Sequence, residues 1–335
     1  MPDLIAITAG TIRDENNLIA QSLKERGYRL AIHSRGSLPT REELLGLLAE
    51  AVGFIAGSEP ITDEVLAAAP HLRAISRHGV GFDNIDLDAA TARGILVSYT
   101  PDAMTDTVAD LAMGMLLAVA RRLPELDRAM KEGEWLRGPG ADVGGRTLGV
   151  VGTGRIGMAV ARRAKAFRMR LLGCDERPNP LFVEELGGDY VPLEELLELS
   201  DYVTLHAPVL PTTRKMIHAG TLAKMKPTAF LINTSRGPLI DEEALLAALD
   251  DGRVAGAALD VFDSEPPPPG SSGDRLARHP RVLATPHVAA FTPATAARMG
   301  KAAVANLLAM LEGERPEHLL NPAVCERLRR EGEGE

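Results

Sequence analysis

The chain has 335 residues, of which 45% are hydrophobic and 25% charged, which is typical of a globular protein with room for two domains. Its net charge of -9 argues against a nucleic-acid or anionic-membrane partner. With only two cysteines, Cys174 and Cys325, and no CxxC spacing, the sequence predicts neither a disulfide framework nor a metal site. The N-terminus lacks the basic start of a signal peptide and no apolar run would span a bilayer, so we expect a cytoplasmic enzyme.

The first hundred residues alternate short apolar runs with helical patterns. The predicted strands are Leu4–Thr8, Gly53–Ala56, Leu72–Ser76 and Ile95–Ser98. The predicted helices are Leu18–Glu25, Glu42–Ala49, Asp63–Ala69 and Leu87–Ala92. This alternation implies a parallel sheet. A long helix, apolar over most of its circumference, is then predicted over Thr105–Leu123, followed by a glycine-rich break at Gly138–Gly145.

A second series of strands and helices begins after this break. The predicted strands are Leu148–Val151, Leu171–Cys174, Tyr202–Leu205, Phe230–Asn233, Val254–Ala258 and Val282–Ala284. The predicted helices are Arg155–Phe167, Leu193–Leu199 and Glu242–Asp250. A closing helix is expected to start with Thr292 as N-cap and Pro293 in its first turn, and to run to about Leu311. The charged tail, 323–335, is predicted to be disordered.

Residues 149–157 read GVVGTGRIG and place Gly152, Gly154 and Gly157 in the G-x-G-x-x-G pattern of dinucleotide-binding turns. The motif follows a predicted strand and opens a predicted helix, which is the context that this pattern requires. The glycines would permit a tight turn and a close approach of the pyrophosphate. The backbone N–H groups at Arg155 and Ile156 would face that anion.

An acidic residue stands at the end of the next predicted strand. Asp175 follows Gly157 by 18 residues, about the spacing of a carboxylate that binds the adenosine ribose diol. A carboxylate there repels a 2′-phosphate, so the sequence favours NAD as cofactor. The neighbouring Arg177 keeps NADP open as an alternative.

Polar side chains follow three later strands of the same predicted sheet. Arg236 lies in LINTSRG, Asp260 and Glu265 in ALDVFDSEPP, and His287 in TPHVAAFTP. Arg236 can bind a carboxylate and polarise a keto oxygen, while His287 can donate or accept the proton of a hydroxyl group. Glu265 beside His287 would favour the imidazolium form.

Taken singly, Arg236, Glu265 and His287 each also have an ordinary explanation, as a surface charge or a loop histidine. Together, after strands of one nucleotide-binding sheet, they indicate hydride transfer between nicotinamide and a small 2-hydroxy acid or 2-keto acid.

The motifs GTGRIG, NTSRGPLIDEEAL, ALDVFDSEP and TPHVA resemble those of the D-isomer-specific 2-hydroxyacid dehydrogenases. This family contains phosphoglycerate dehydrogenase, glyoxylate and hydroxypyruvate reductases and D-lactate dehydrogenase. The segment Arg77–Ile95, RHGVGFDNIDLDAATARGI, is similar to the family's substrate loop. The resemblance runs in the expected order from about Leu4 to Pro322.

The resemblance implies an α/β fold with two Rossmann-like domains. A flavodoxin-like split substrate domain, 1–101 with 290–322, would flank an inserted NAD-binding Rossmann domain, 102–289. The segment Thr105–Gly145 resembles the family's dimerisation arm, which implies a homodimer.

The resemblance also implies roles for individual residues. The catalytic residues would be Arg236, Glu265 and His287. The substrate carboxylate would be bound by Arg236 and by the backbone of His78, Gly79, Val80 and Gly81. The NAD site would be lined by Val80, Gly152, Gly154, Arg155, Ile156, Gly157, Asp175, Ala207, Pro208, Thr234, Ser235, Arg236, Asp260, His287 and Ala289.

Departures from the family pattern bear on the substrate. The segment FIAGSEP, which spans the end of the predicted strand Gly53–Ala56 and the loop after it, contains no Arg or Lys that could bind a phosphate group. We therefore expect a substrate of the glyoxylate or hydroxypyruvate type rather than 3-phosphoglycerate. Two alternatives stay open: a non-catalytic NAD(H)-sensing interaction protein or corepressor, and oxidation of an inorganic acid such as phosphite.

Overall fold

The structure is a computed structural model and describes residues 2–35, 37–325 and 327. The chain divides into two compact units. Unit 1 comprises Met1–Met104 and Thr292–Glu335, and unit 2 comprises Thr105–Phe291. Each unit is built around its own parallel sheet with helices on both faces, so the predicted fold class is confirmed.

Unit 1 contains a five-stranded sheet in the order β2-β1-β3-β4-β5. Its strands are β1 (Leu4–Ile7), β2 (Arg29–Ile32), β3 (Ala51–Ala56), β4 (Ala74–Arg77) and β5 (Leu96–Ser98). This is the flavodoxin-like order, in which the sheet grows in one direction from β1 to β2 and in the other from β3 onwards. The strand order reverses between β1 and β3, which makes that position the topological switch point of unit 1.

The first four helices of unit 1 begin at polar capping residues. They are α1 (Leu18–Glu25), α2 (Arg41–Leu48), α3 (Asp63–Ala67) and α4 (Leu87–Ala92). Asn17 and Asp86 each accept a hydrogen bond from a first-turn N–H group, at α1 and α4. Helix α2 begins with a full capping box, in which Thr40 and Glu43 bond each other's backbone N–H groups.

Apolar side chains lie on both faces of the unit 1 sheet. Phe54 and Ile55 are neighbours on β3, are both fully buried, and belong to cores on opposite sides. This two-sided burial explains why the strands read as continuous apolar runs rather than as alternating patterns.

Unit 2 contains a seven-stranded sheet in the order β12-β11-β10-β9-β6-β7-β8. Its strands are β6 (Thr147–Val151), β7 (Arg170–Cys174), β8 (Asp189–Tyr190), β9 (Tyr202–Leu205), β10 (Phe230–Asn233), β11 (Gly256–Leu259) and β12 (Val282–Ala284). The first six strands of this unit follow the Rossmann order, and the seventh extends it at one edge. The switch point lies between β6 and β9.

Helices cover both faces of the unit 2 sheet. They are α5 (Thr105–Ala120), α6 (Leu123–Lys131), α7 (Arg155–Ala166), α8 (Pro180–Glu184), α9 (Leu193–Leu199), α10 (Ala219–Leu222), α11 (Glu242–Asp250) and α12 (Ser272–Arg278). Helix α5 packs against α7, and Arg163 of α7 forms ion pairs with Asp106 and Asp110 of α5. The long apolar helix is therefore partly buried within its own unit.

The chain returns to unit 1 in the closing helix α13 (Pro293–Leu311). Thr292 caps its first turn and Pro293 is its first residue, which confirms the predicted start and end of this helix. Most of the predicted disordered tail, 323–335, lies outside the described residues. Val324 does not, and it is buried in the unit 1 core.

The long helix of unit 2 ends earlier than its apolar pattern predicts. The pattern extends to Leu123, but α5 stops at Ala120, and Arg122 has a left-handed backbone with φ +56°. Pro124 explains the break, because its ring lacks an N–H group and would clash with the carbonyl of Ala120 in a continuous helix. That carbonyl instead accepts a hydrogen bond from Ala141.

The remaining differences concern short or marginal elements. The sequence patterns did not predict β2, β8, α6, α8, α10 or α12, and they placed β4 and β11 one or two residues too early. Strand β2 lies at a sheet edge and is not fully buried, so its sequence RLAI lacks the apolar signal of the central strands. Among the described helices, none combines the length and the apolar character needed to cross a membrane.

His78 is a buried titratable side chain directly after β4. Its Nε2 lies 3.2 Å from the Thr11 hydroxyl. Burial, helped by the charge of Arg77, lowers the pKa of His78 from 6.5 to about 4, and contacts with the carbonyls of His78 and Ala296 only partly oppose this. The imidazole is therefore neutral in the folded protein at pH 7.

His78 should make the protein less stable as the pH falls. Because its folded pKa lies below its unfolded value, the unfolded state binds more protons, and stability present above pH 6.5 is lost on approach to pH 4. Between pH 7 and pH 5 the loss of stability amounts to about 2 kcal/mol. The free energy of unfolding, measured with urea at both pH values, should depend correspondingly less on pH in His78→Asn. The exposed His71→Asn should match wild type; equal slopes in all three proteins would contradict the prediction.

Candidate active site

The glycine-rich turn of unit 2 follows β6 and leads into α7. Gly152 has φ +90°, and a Cβ there would lie 2.6 Å from the carbonyl carbon of His206. A Cβ on Gly157 would lie 1.9 Å from the Gly152 oxygen. A Cβ on Gly154 would meet nothing within 4 Å, so this side of the turn is open. The first N–H groups of α7, including those of Arg155 and Ile156, have no acceptor within the helix.

Asp175, at the end of β7, lies against this turn. Its Oδ2 accepts a 2.6 Å hydrogen bond from the Thr153 N–H, and its Oδ1 accepts a 2.8 Å bond from the Arg177 N–H. These bonds hold the carboxylate beside the glycine-rich turn, at the end of the strand that pairs with β6 on the side away from β9. The Thr153 hydroxyl bonds Tyr190 as well as Asp175, and the sequence patterns did not indicate this support.

The polar groups along this edge fit a dinucleotide. The Thr234 hydroxyl, just after β10, is buried and has no hydrogen-bond partner among the described residues. The same is true of Nδ1 of His206, whose Nε2 bonds the Thr204 hydroxyl. Burial lowers the pKa of His206 to about 3, so this histidine is neutral. A glycine cradle with buried, unpaired polar atoms beside it can accept a cofactor with many hydrogen-bonding groups.

Arg236 lies in a tight loop after β10. The Asn233 side chain holds this loop, donating to the Arg236 carbonyl at 2.8 Å and accepting from the Ser235 N–H at 3.0 Å. The Ser235 hydroxyl bonds the Ala207 carbonyl at 2.7 Å. A Cβ on Gly237 would lie 1.9 Å from the carbonyl carbon of Phe262, so only glycine allows this loop to approach the one that carries Glu265.

Asp260, at the end of β11, is fully buried and holds the loop of His287. Its Oδ1 accepts hydrogen bonds from the Thr285 hydroxyl and the Val288 N–H, at 2.5 and 2.9 Å. Its Oδ2 accepts a 2.8 Å bond from the Ala289 N–H, and its carbonyl accepts from the His287 N–H. The sequence reasoning considered Asp260 only as a cofactor contact and missed this supporting role.

His287 and Glu265 form a hydrogen-bonded pair. His287 Nδ1 lies 2.6 Å from Glu265 Oε2, and both side chains are about 40% exposed. Burial opposes the charge of Glu265. Even so, the pKa of Glu265 stays below 4.5. His287 lowers it by its hydrogen bond and its charge, and the Phe262 N–H and the charge of Arg236 lower it further. The structure thus places the three predicted catalytic residues on neighbouring loops of unit 2.

The predicted substrate loop belongs to unit 1. The N–H of His78 already donates to the Ala56 carbonyl at 2.9 Å. The N–H of Gly79 donates to the Thr100 hydroxyl, also at 2.9 Å. Within the described part of the chain, the N–H groups of Val80 and Gly81 have no protein acceptor. Of the four predicted amides, these two are the ones that remain available to a ligand.

Comparison with known proteins gives a consistent result. Residues 113–289 match the family model described as D-isomer specific 2-hydroxyacid dehydrogenase, NAD binding domain. A glyoxylate reductase of Korarchaeum cryptofilum is 48% identical over 80% of this chain and 81% of its own length. The chain belongs to the D-isomer specific 2-hydroxyacid dehydrogenases. It is therefore an oxidoreductase with an NAD-binding domain.

Two solved structures agree with the fold. The TT0316 protein of Thermus thermophilus matches with a TM-score of 0.86 and 40% identity, covering 95% of this chain and 99% of its own. An NADPH-dependent glyoxylate/hydroxypyruvate reductase of Sinorhizobium meliloti, in complex with NADP and malonate, matches with a TM-score of 0.81 and 32% identity. It covers 97% of this chain and 98% of its own.

Proposed function

We propose that this dehydrogenase interconverts a small unphosphorylated D-2-hydroxy acid and its 2-keto acid, with glyoxylate or hydroxypyruvate as the keto acid and NAD as the cofactor. The observation that carries the proposal is the His287–Glu265 pair, with Arg236 close enough to lower the pKa of Glu265. The choice of substrate is supported by the K. cryptofilum relative, which is named for glyoxylate, and by the S. meliloti relative, which is named for glyoxylate and hydroxypyruvate.

His287 is the proposed acid and base. Its Nδ1 is committed to Glu265, which leaves Nε2 to deliver a proton to the keto oxygen and to remove it in the reverse direction. The ionised Glu265 stabilises the imidazolium and fixes the ring orientation. Arg236 would polarise the keto oxygen and bind the substrate carboxylate. Bound NADH supplies the hydride.

The substrate carboxylate also needs backbone donors. We assign these to Val80 and Gly81 and narrow the expectation from four amides to two, because the N–H groups of His78 and Gly79 are already bonded. The segment after β3 supports an unphosphorylated substrate. It contains no Arg or Lys that could bind a phosphate group.

The cofactor would occupy the carboxyl edge of the unit 2 sheet. Its pyrophosphate would lie on Gly152, Gly154 and Gly157 and at the start of α7. Asp175, held by two backbone N–H groups, would accept both ribose hydroxyls and repel a 2′-phosphate, which favours NAD over NADP. The other proposed contacts are Val80, Arg155, Ile156, Ala207, Pro208, Thr234, Ser235, Arg236, Asp260, His287 and Ala289.

Substitution of the proposed catalytic residues should separate catalysis from cofactor binding. In Arg236→Ala and His287→Ala, NADH-dependent reduction of glyoxylate and hydroxypyruvate should fall by at least about a thousandfold, because carbonyl polarisation or proton transfer is lost. NADH affinity, measured by fluorescence titration, should stay within a few-fold of wild type. Arg253→Ala, at an exposed arginine, is the control. Turnover above a tenth of the wild-type rate in either variant would exclude the assigned role.

Replacement of Asp175 should change the cofactor preference. Asp175→Ala removes the acceptor for the ribose diol and the repulsion of a 2′-phosphate, so the ratio of kcat/KM for NADH to that for NADPH should fall by about tenfold or more. Asp189→Ala, at an exposed carboxylate on neighbouring β8, is the matched control. Steady-state kinetics with both cofactors measure the ratio, and an unchanged ratio in Asp175→Ala would contradict the assignment.

The exposed apolar residues that follow α5 support a homodimer. Leu123, Met130, Trp135 and Leu136 are between 40% and 78% exposed, and they lie close together along one segment of the chain. Such a group on one segment is typical of an interaction surface. We propose that a second copy of the chain covers it. A cytoplasmic location stays a prediction from the sequence.

Introducing a charge on this surface should disrupt the dimer. Trp135→Glu should shift the mass measured by light scattering from dimer towards monomer, because a buried unpaired carboxylate disfavours association. Leu181→Glu, at a 40% exposed residue of α8, should leave the mass unchanged. A wild-type monomer, or a dimer that Trp135→Glu does not weaken, would refute the proposed interface.

A further inference from the structure

The switch point of unit 1 carries polar residues that the proposed mechanism does not use. Thr11 follows β1 and Ser58 follows β3, the two strands between which the order of the sheet reverses. In open α/β sheets, small ligands bind outside the carboxyl ends of the strands at such a point. Strand β4, which leads into the substrate loop, pairs directly with β3, with Ala56 opposite Arg77.

The loop after β3 and the substrate loop are tied together by side chains. Arg77 donates from Nη2 to the Ser58 hydroxyl oxygen at 3.2 Å and from Nη1 to the His78 carbonyl. Asn84 donates to the Glu59 carbonyl at 2.7 Å. The two loops are therefore held in one arrangement, and Ser58 lies next to the segment that carries the Val80 and Gly81 amides.

Buried hydrogen bonds also hold the loop after β3 in place. The buried carboxylate of Glu59 accepts hydrogen bonds through Oε1 from the Gly57 N–H, at 3.0 Å, and from the Thr8 hydroxyl. The Gly57 N–H also donates to the Thr8 hydroxyl oxygen at 2.9 Å. With Gly57 and Glu59 fixed on either side, the position of Ser58 is set by buried contacts, although its own side chain is exposed.

The Ser58 hydroxyl is available to a ligand as a hydrogen-bond donor. Its oxygen accepts from Arg77, so its own proton can be donated outwards. The neighbouring His78, bonded to Thr11, is uncharged because burial lowers its pKa to about 4. The Arg77 guanidinium is already engaged by Ser58 and the His78 carbonyl, so a neutral acceptor such as a hydroxyl group suits this position.

We propose that Ser58 is a specificity-determining residue, which binds a hydroxyl group on C3 of the substrate and makes the enzyme prefer 3-hydroxy-2-keto acids to 3-deoxy ones. Arg77 is the positioning residue that orients Ser58. This assignment rests on the proposed function, and it selects hydroxypyruvate over pyruvate. Glyoxylate, which has no C3, cannot use the contact.

The test compares three keto acids that differ at this one carbon. In Ser58→Ala, kcat/KM for hydroxypyruvate should fall by about three- to tenfold relative to that for pyruvate, the effect of one neutral hydrogen bond. The value for glyoxylate should stay within about twofold of wild type. Ser58→Thr keeps the hydroxyl and should restore the preference. Ser34→Ala removes an exposed hydroxyl after the edge strand β2 and is the matched control.

Two results would overturn the inference. An unchanged ratio of hydroxypyruvate to pyruvate in Ser58→Ala would show that Ser58 does not contact C3. An equal loss with all three acids would show that Ser58 only supports the loop. Failure of the proposed function would look different, because the wild-type enzyme would then reduce none of the three acids with NADH.

Discussion

The candidate active site depends on one buried carboxylate. Asp260 accepts hydrogen bonds from Thr285, Val288 and Ala289, so the loop that begins after β12 is fixed to the end of β11. His287 lies within that loop with φ +52°, a left-handed backbone conformation that is uncommon for residues other than glycine. The 2.6 Å contact with Glu265 requires this arrangement, since an unrestrained loop would let the imidazole turn away. A buried aspartate side chain that accepts three hydrogen bonds is thus what places an exposed histidine.

Parallel strands impose a second constraint, which both units share. Every strand of each sheet points the same way, so all loops after the strands emerge at one edge. In unit 2 that edge collects the glycine turn, Asp175, and the loops of Arg236 and His287. In unit 1 it collects Thr11, Ser58 and the predicted substrate loop. Residues far apart in sequence become neighbours because of strand direction alone, and glycines such as Gly237 let the loops approach closely.

This constraint explains how much could be predicted from the sequence. The glycine turn and Asp175 were predictable because their function requires a fixed order of strand, glycines, helix and acid. The central strands were predictable because both faces are buried, whereas the edge strand β2 is only partly buried and carried no clear signal. The supporting role of Asp260 was not predictable, since it arises from a loop that is 25 residues further along the chain. Likewise, the amides of His78 and Gly79 could be seen to be bonded only once Ala56 and Thr100 were placed beside them.

Two histidines show how environment decides function within one chain. His78 is enclosed, has no carboxylate partner among its described contacts, and stays neutral down to about pH 4, so it can order a loop but cannot deliver a proton at neutral pH. His287 is exposed and bonded to a carboxylate whose pKa is held low, so a charge on its ring is compensated. The sequence places both after strands, in loops of similar polarity. Only the burial of His78 and the acidic partner of His287 separate a structural histidine from the proposed proton donor, and these properties belong to the fold.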